Sequence, residues 1–240
     1  MNKTTELAAH VRTELGKAVV GQRESLDQLL LVMLVGGHAL VEGVPGLAKT
    51  LAVKALAHIF QLTFQRVQCT PDLMPADILG ANVYNLSSST FTLHRGPIFT
   101  DLLLVDEINR TPPRTQSALL EAMEEKQVTI DGTRYPLSNS FAVFATQNPV
   151  EFEGTYPLPE AQLDRFLVKI RIGYPDAEQE AQVLQNYQDG FDPRDLQRMN
   201  FSVVPLEVLL AARQEVAAVR VEPALFKYCL LYTSPSPRDS

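Results

Sequence analysis

The chain has 240 residues, room for one large or two modest domains, and its 45% hydrophobic content can bury a sizeable core. A formal net charge of -7 argues against a general binder of nucleic acid or of anionic membranes. Two cysteines, Cys69 and Cys229, are too few and too far apart for a disulfide framework or a zinc site, and the four histidines (His10, His38, His58, His94) show no metal-ligand spacing.

From the N-terminus, residues 1–12 are polar and carry no signal-peptide pattern. The longest apolar run, Leu29 to Val35, is far short of a bilayer span, so a cytoplasmic protein with no membrane span is expected. Residues 4–17 predict an amphipathic helix on Leu7, Val11 and Leu15. Val19-Val20-Gly21-Gln22 predicts a turn, and Arg23 to Leu34 a second helix with Leu26, Leu29, Leu30 and Met33 as its buried stripe. His38 to Val41 predicts the first strand.

Between that strand and a helix-like run from Leu51 to Phe60 lies Gly43-Val44-Pro45-Gly46-Leu47-Ala48-Lys49-Thr50. Strand, glycine-bearing loop, Lys-Thr and helix is the layout of a nucleotide phosphate-binding loop. Small residues let successive backbone N–H groups converge on phosphate oxygens, and the following helix points its positive end at the same anion. Lys49 would reach the β- and γ-phosphates, and the Thr50 hydroxyl would ligate Mg²⁺. Ala48 stands where the usual pattern has its second glycine. Alanine does not easily take a positive φ, so Ala48 is expected inside the first helical turn. An ordinary turn and helix cap is the bland alternative.

Leu62 to Cys69 predicts a second strand, with Val67 and Cys69 on one face. The stretch holding Pro71, Pro75 and Gly80 reads as too broken for regular structure. Val83 to Leu86 and Thr90 to Leu93 predict a hairpin with a Ser-rich tip. Leu102 to Val105 is a continuous apolar run, as in a strand buried on both faces of a parallel sheet, and it ends in Asp106-Glu107. Thr111-Pro112-Pro113 starts a helix that runs to Lys126 and buries Leu119, Leu120 and Met123. Val128 to Tyr135 predicts a second hairpin, because Asp131-Gly132 suits a type I′ turn. Phe141 to Thr146 predicts a strand ending at Gln147-Asn148-Pro149, and Leu167 to Ile172 a last strand. Strands alternating with helices predict an α/β fold on a parallel sheet. Composition shifts at Gly173-Tyr174-Pro175; from there helices at 177–187 and 205–219, and a third starting at Pro223, predict a small all-helical unit.

Strand ends carry the chemistry. Asp106 would hold Mg²⁺ directly or through water, and Glu107 would polarise the attacking water. Their alternative is a solvated strand end. Asn148 ends another strand on the edge where ligands of parallel sheets bind. It would orient the lytic water or touch the γ-phosphate, or else be a turn residue before Pro149. Arg165 precedes the last strand, away from that edge, which fits an arginine finger acting on a neighbouring subunit. The alternative is a surface salt bridge with Asp164 or Glu160.

Together these residues are recognisable. The chain resembles the MoxR family of AAA+ ATPases across about residues 12 to 228, through GVPGLAKT (43–50), TPDLMPADILG (70–80), GPIFTDLLLVDEINRTPPRTQSALLEAMEEKQVTIDG (96–132), FATQNPVEFEGTYPLPEAQLDRF (144–166) and KIRIGYP (169–175). Ala48 is common in that family. The resemblance implies an αβα core on a five-stranded parallel sheet over residues 1–175 and a helical lid over residues 176–228. It places Gly43, Val44, Pro45, Gly46, Leu47, Ala48, Lys49, Thr50 and Leu51 around the phosphates of ATP, with Lys49 and Thr50 as Walker A. Asp106 and Glu107 then correspond to Walker B, Asn148 to sensor 1 and Arg165 to the arginine finger. Val20, Gly21 and Gln22 correspond to the segment contacting adenine; Leu86 to Leu93 is similar to the helix-2 insert, and Val128 to Tyr135 to the pre-sensor-1 hairpin. Members work as rings, usually hexamers, as chaperone-like remodellers in metal-centre insertion or complex maturation. They often act with a partner carrying a von Willebrand factor A domain. A nucleic-acid motor and a non-hydrolysing nucleotide switch are the competing readings. Charge disfavours the first; the presence of Asp106, Glu107, Asn148 and Arg165 disfavours the second.

The family pattern stops at about Tyr228. Residues 229–240 resemble a translated sequencing adapter, and Ser236-Pro237-Arg238 imitates a sensor-2 context too early in the chain. The expectation is an incomplete lid, with weak nucleotide binding and weak assembly.

Overall fold

The computed structural model describes residues 3–44, 48–149, 154–193 and 195–233, without the side chains of Lys227 and residues 230–233. Its centre is a five-stranded parallel sheet: β1 (Ala39–Glu42), β2 (Phe64–Gln68), β5 (Leu102–Asp106), β8 (Ala142–Gln147) and β9 (Val168–Arg171). They lie in the order β2-β5-β8-β1-β9.

The apolar runs become strands because both faces of the sheet are covered. Leu102 and Leu104 of β5 pack with α1 (Lys3–Ala18), α2 (Arg23–Val35) and α3 (Lys49–Ile59). Leu103 and Val105, pointing the other way, pack with α5 (Pro113–Glu125) and its neighbours. Side chains alternate along a strand, so a strand between two helical layers must be apolar at every position.

Two hairpins stand off the sheet: β3 (Gly80–Asn85) with β4 (Thr90–Arg95), and β6 (Gln127–Ile130) with β7 (Thr133–Pro136). The turn of the second has Asp131 at φ 47° and Gly132 at φ 78°, the two positive values a type I′ turn requires. Asn82 Nδ2 donates to Asp131 Oδ2 at 2.8 Å and ties the hairpins together.

Three local features differ from expectation. Residues 75–79, expected to be irregular, form the short helix α4 (Pro75–Leu79). Pro75 sits in its first turn, where a proline lacks no needed donor, and Asp77 accepts from the Met74 amide at 2.8 Å. After β5 the chain enters a 3-10 turn at Ile108–Arg110, with Glu107 in the left-handed region at φ 59°. A short helix, α6 (Glu160–Leu163), precedes β9.

Beyond β9, α7 (Ala177–Gln188) starts on a reciprocal cap between Asp176 and Gln179 and buries none of its residues. The composition break does not isolate everything after it. Leu196, Phe201 and Val204, with Leu209 and Ala212 of α8 (Leu206–Ala217), join the same core as α1 and α2. Arg213 Nε donates to the Met33 carbonyl near the end of α2 at 2.8 Å, and Glu215 accepts from the Thr4 amide at 3.0 Å. The helix α9 (Pro223–Thr233) runs through Cys229 without a break at residue 228, and residues 234–240 lie outside the described residues. Among the described residues no helix is long and apolar enough to cross a membrane.

Candidate functional site

Three strands end side by side. Glu42 of β1 pairs with Gln147 of β8, so Gly43 and Asn148 leave the sheet next to each other, and Gly43 N–H donates to the Gln147 carbonyl at 3.4 Å. Asp106 ends the adjacent β5. A side chain at Gly43 would put Cβ 2.8 Å from the Ile172 carbonyl oxygen, a backbone atom that cannot yield, so this turn needs glycine.

Pro45, Gly46 and Leu47 lie outside the described residues. The next described residue, Ala48, does not lie where the sequence predicts it.

 Ala48 is not inside the first helical turn but is the residue before it, at φ 55° and ψ 17°. Its carbonyl accepts the first helical bond, from the Ala52 amide at 2.9 Å. The left-handed conformation costs alanine about 1 kcal/mol, which glycine would not incur. Lys49, Thr50 and Leu51 then form the first turn of α3, whose free N–H groups suit an anion. Lys49 Nζ donates to the Gly43 carbonyl at 2.5 Å. Burial pulls the Lys49 ammonium below its ordinary pKa, against the opposing pull of Asp106 and Glu107.

Both carboxylates of the Asp106-Glu107 pair are held. Asp106 Oδ1 accepts from the Thr146 hydroxyl at 3.1 Å, and Oδ2 from Arg66 Nε at 2.6 Å. The Glu107 amide donates to the same Thr146 hydroxyl at 2.9 Å. Glu107 Oε2 lies 3.2 Å from both Gln68 Nε2 and Arg110 Nε. The left-handed backbone of Glu107 aims this side chain across the end of the sheet. Thr146, Arg66 and Gln68 were not singled out from the sequence. For Arg66 and Gln68 the signal is the alternation along β2, where Val67 between them is buried and they face the other way.

Asn148 is buried beside this group, one residue past β8. Arg165 is not part of it. It lies before β9, near the opposite edge, where Leu167 N–H donates to the His38 carbonyl at 2.8 Å. There Arg165 pairs with Glu124, at the end of α5, rather than with Asp164 or Glu160.

Beside the start of α3, Val20, Gln22, Ala48 and Leu51 line a pocket of about 340 Å³, faced from α7 by Leu184 and Tyr187. Its size and apolar walls suit an aromatic base. Gly21, at φ 69°, lines the adjoining groove. The oxygens of Thr50 and Asp106 suit a hard cation such as Mg²⁺. Among the described residues no cluster of three His, Cys, Asp or Glu side chains could hold a metal ion.

Comparison with known proteins agrees with this geometry. Residues 38–168, more than half of the chain, match the ATPase family associated with various cellular activities (AAA). The chain is 47% identical to Bacillus subtilis YeaC, over 89% of this chain and 68% of that protein. It is 48% identical to the chaperone MoxR1 of Mycobacterium tuberculosis, over 78% of this chain and 51% of that one. Protein MoxR of Methylorubrum extorquens is 33% identical, over 79% of this chain and 54% of its own. The chain thus spans about half the length of these two MoxR proteins. A crystal structure of a candidate ATPase from Cytophaga hutchinsonii superposes with a TM-score of 0.80 at 46% identity, covering 94% of this chain and 68% of that one. Fold, strand-end residues and relatives converge: the chain belongs to the MoxR family of AAA+ ATPases.

Proposed function

We propose that this chain hydrolyses ATP with Mg²⁺ to drive a chaperone-like remodelling of protein partners. The observation that carries the reading is the convergence of Lys49, Asp106, Glu107 and Asn148 on one sheet edge beside an apolar pocket. Lys49 and the N-terminal turn of α3 hold the phosphates. Thr50 and Asp106 hold the cation, which when bound neutralises phosphate charge. Glu107 polarises the attacking water, and Asn148 positions it or the γ-phosphate. Val20, Gly21 and Gln22 contact adenine, and α7 serves as the roof of its pocket.

Arg165 completes the site of a neighbouring copy in a ring, in keeping with its place near the opposite edge of its own sheet. A hexamer, a cytoplasmic setting and a partner with a von Willebrand factor A domain follow from the family, as does a role in metal-centre insertion or complex maturation. The test is ATP turnover beside nucleotide binding. Glu107→Gln should lose about 100-fold in turnover, roughly 3 kcal/mol of transition-state stabilisation, while still binding ATP. Full turnover in that variant contradicts the assignment.

A further inference from the structure

Arg66 belongs to no part of the proposed machinery, yet it holds the carboxylate assigned to the metal. It lies on β2, the edge strand beside β5, with Gln68 in register with Asp106. Its Nε donates to Asp106 Oδ2 at 2.6 Å, and its Nη2 donates to Gln68 Oε1 at 3.0 Å. Thr146 already engages Asp106 Oδ1, so the guanidinium sits on the other carboxylate oxygen. Asp106 is 9% exposed and fixed, whereas the Arg66 side chain is 51% exposed, with solvent to swing into.

We propose that Arg66 is a positioning residue that competes with the divalent cation for Asp106, a tethered charge that must leave Oδ2 before Mg²⁺ and nucleotide settle. A guanidinium and a divalent cation on one carboxylate weaken each other's hold, because their mutual repulsion at such separations is several-fold larger than thermal energy even with surface screening. Gln68 steadies the parked guanidinium, since its amide bridges Arg66 and Glu107. Arg66 thereby sets how much Mg²⁺ the site needs, without touching the reacting atoms. The inference rests on Asp106 being the metal carboxylate.

The experiment titrates Mg²⁺ into the 240-residue chain with a fluorescent ATP analogue and reads the Mg²⁺ concentration that gives half-maximal binding. Arg66→Gln should lower that concentration by about 5-fold, as expected for losing a half-exposed ion pair. Arg66→Lys, which keeps the charge, should fall between it and the parent chain. Asp106→Asn should abolish the Mg²⁺ dependence. An unchanged or raised Mg²⁺ requirement in Arg66→Gln, with Asp106→Asn insensitive to Mg²⁺, overturns the role of Arg66 and leaves the site standing. Weaker binding of Arg66→Gln at saturating Mg²⁺ also overturns it, by showing that Arg66 holds phosphate instead. An unaltered Mg²⁺ dependence in Asp106→Asn removes the metal assignment itself, and the competition with it.

Discussion

At the N-terminal edge of the central sheet, the Asp101 carboxylate accepts from the Thr63 amide at 2.9 Å, from its hydroxyl at 2.6 Å, and from the hydroxyls of Ser138 and Ser140. His38 at the same edge is buried with both ring nitrogens engaged: Val143 N–H donates to Nδ1 at 2.9 Å, and Nε2–H donates to the Met123 carbonyl at 3.2 Å. At the C-terminal edge, Asp106 and Glu107 depend on partly exposed partners, Arg66 and Arg110. One edge is saturated by hydrogen bonds between chain segments far apart in sequence, which fix the strand starts. The other keeps its charged groups on partly exposed side chains, as the proposed exchange for a ligand requires. The same sheet therefore divides stability from chemistry.

The largest expected effect on stability is acid loss through His38. Burial pushes its imidazole down from an ordinary 6.5 to about 4, outweighing the Met123 hydrogen bond, and the Lys126 charge adds to the shift. The folded pKa lies below the unfolded one, so the unfolded chain binds the extra proton between those values. The contribution is full above about pH 6.5 and is lost as pH falls toward 4, up to roughly 3 kcal/mol. Urea midpoints measured from pH 7 to 4.5 should fall less steeply in His38→Gln than in the parent chain. Equal slopes would mean that the buried His38 does not contribute to the acid sensitivity of the fold.

Next in size is Asp101→Ala, which orphans the donors of Thr63, Ser138 and Ser140 and should cost about 2 kcal/mol by denaturant unfolding. Burial works to raise the Asp101 carboxyl, but those hydrogen bonds outweigh it and hold it below its ordinary value. Its contribution is therefore also present at neutral pH and lost in acid. The smallest effect is a gain: Ala48→Gly relieves the left-handed alanine and should stabilise by up to about 1 kcal/mol, with an unfolding midpoint at or above that of the parent. A clear loss of stability would mean that Ala48 contributes more through packing than it costs in backbone strain.

What was legible in the sequence follows from local rules. Continuous apolar runs mark the buried strands, and Asp131-Gly132 marks its turn. Ala48 departs from expectation because the preference against positive φ is worth only about 1 kcal/mol, which the rest of a fold can override. The partners of Arg66 and Gln68 are not legible in the sequence, because they lie some 40 residues away and only the β2–β5 register brings them together. The docking of α8 was hidden for a related reason. An apolar stripe shows that a helix packs, while its partners, here α1 and α2, depend on chain paths far apart in sequence.

The central claim is that the two edges meet between copies, with the phosphate site of one completed by Arg165 of the next. Its most direct test is ATP turnover of Glu107→Gln and Arg165→Ala, each alone and then mixed at constant total concentration. Each alone should retain only a small fraction of the parent rate. Mixing should restore activity, because some interfaces then pair an intact Glu107 with an intact Arg165. A mixture no more active than the sum of its parts, or an Arg165→Ala chain as active as the parent, would contradict the account.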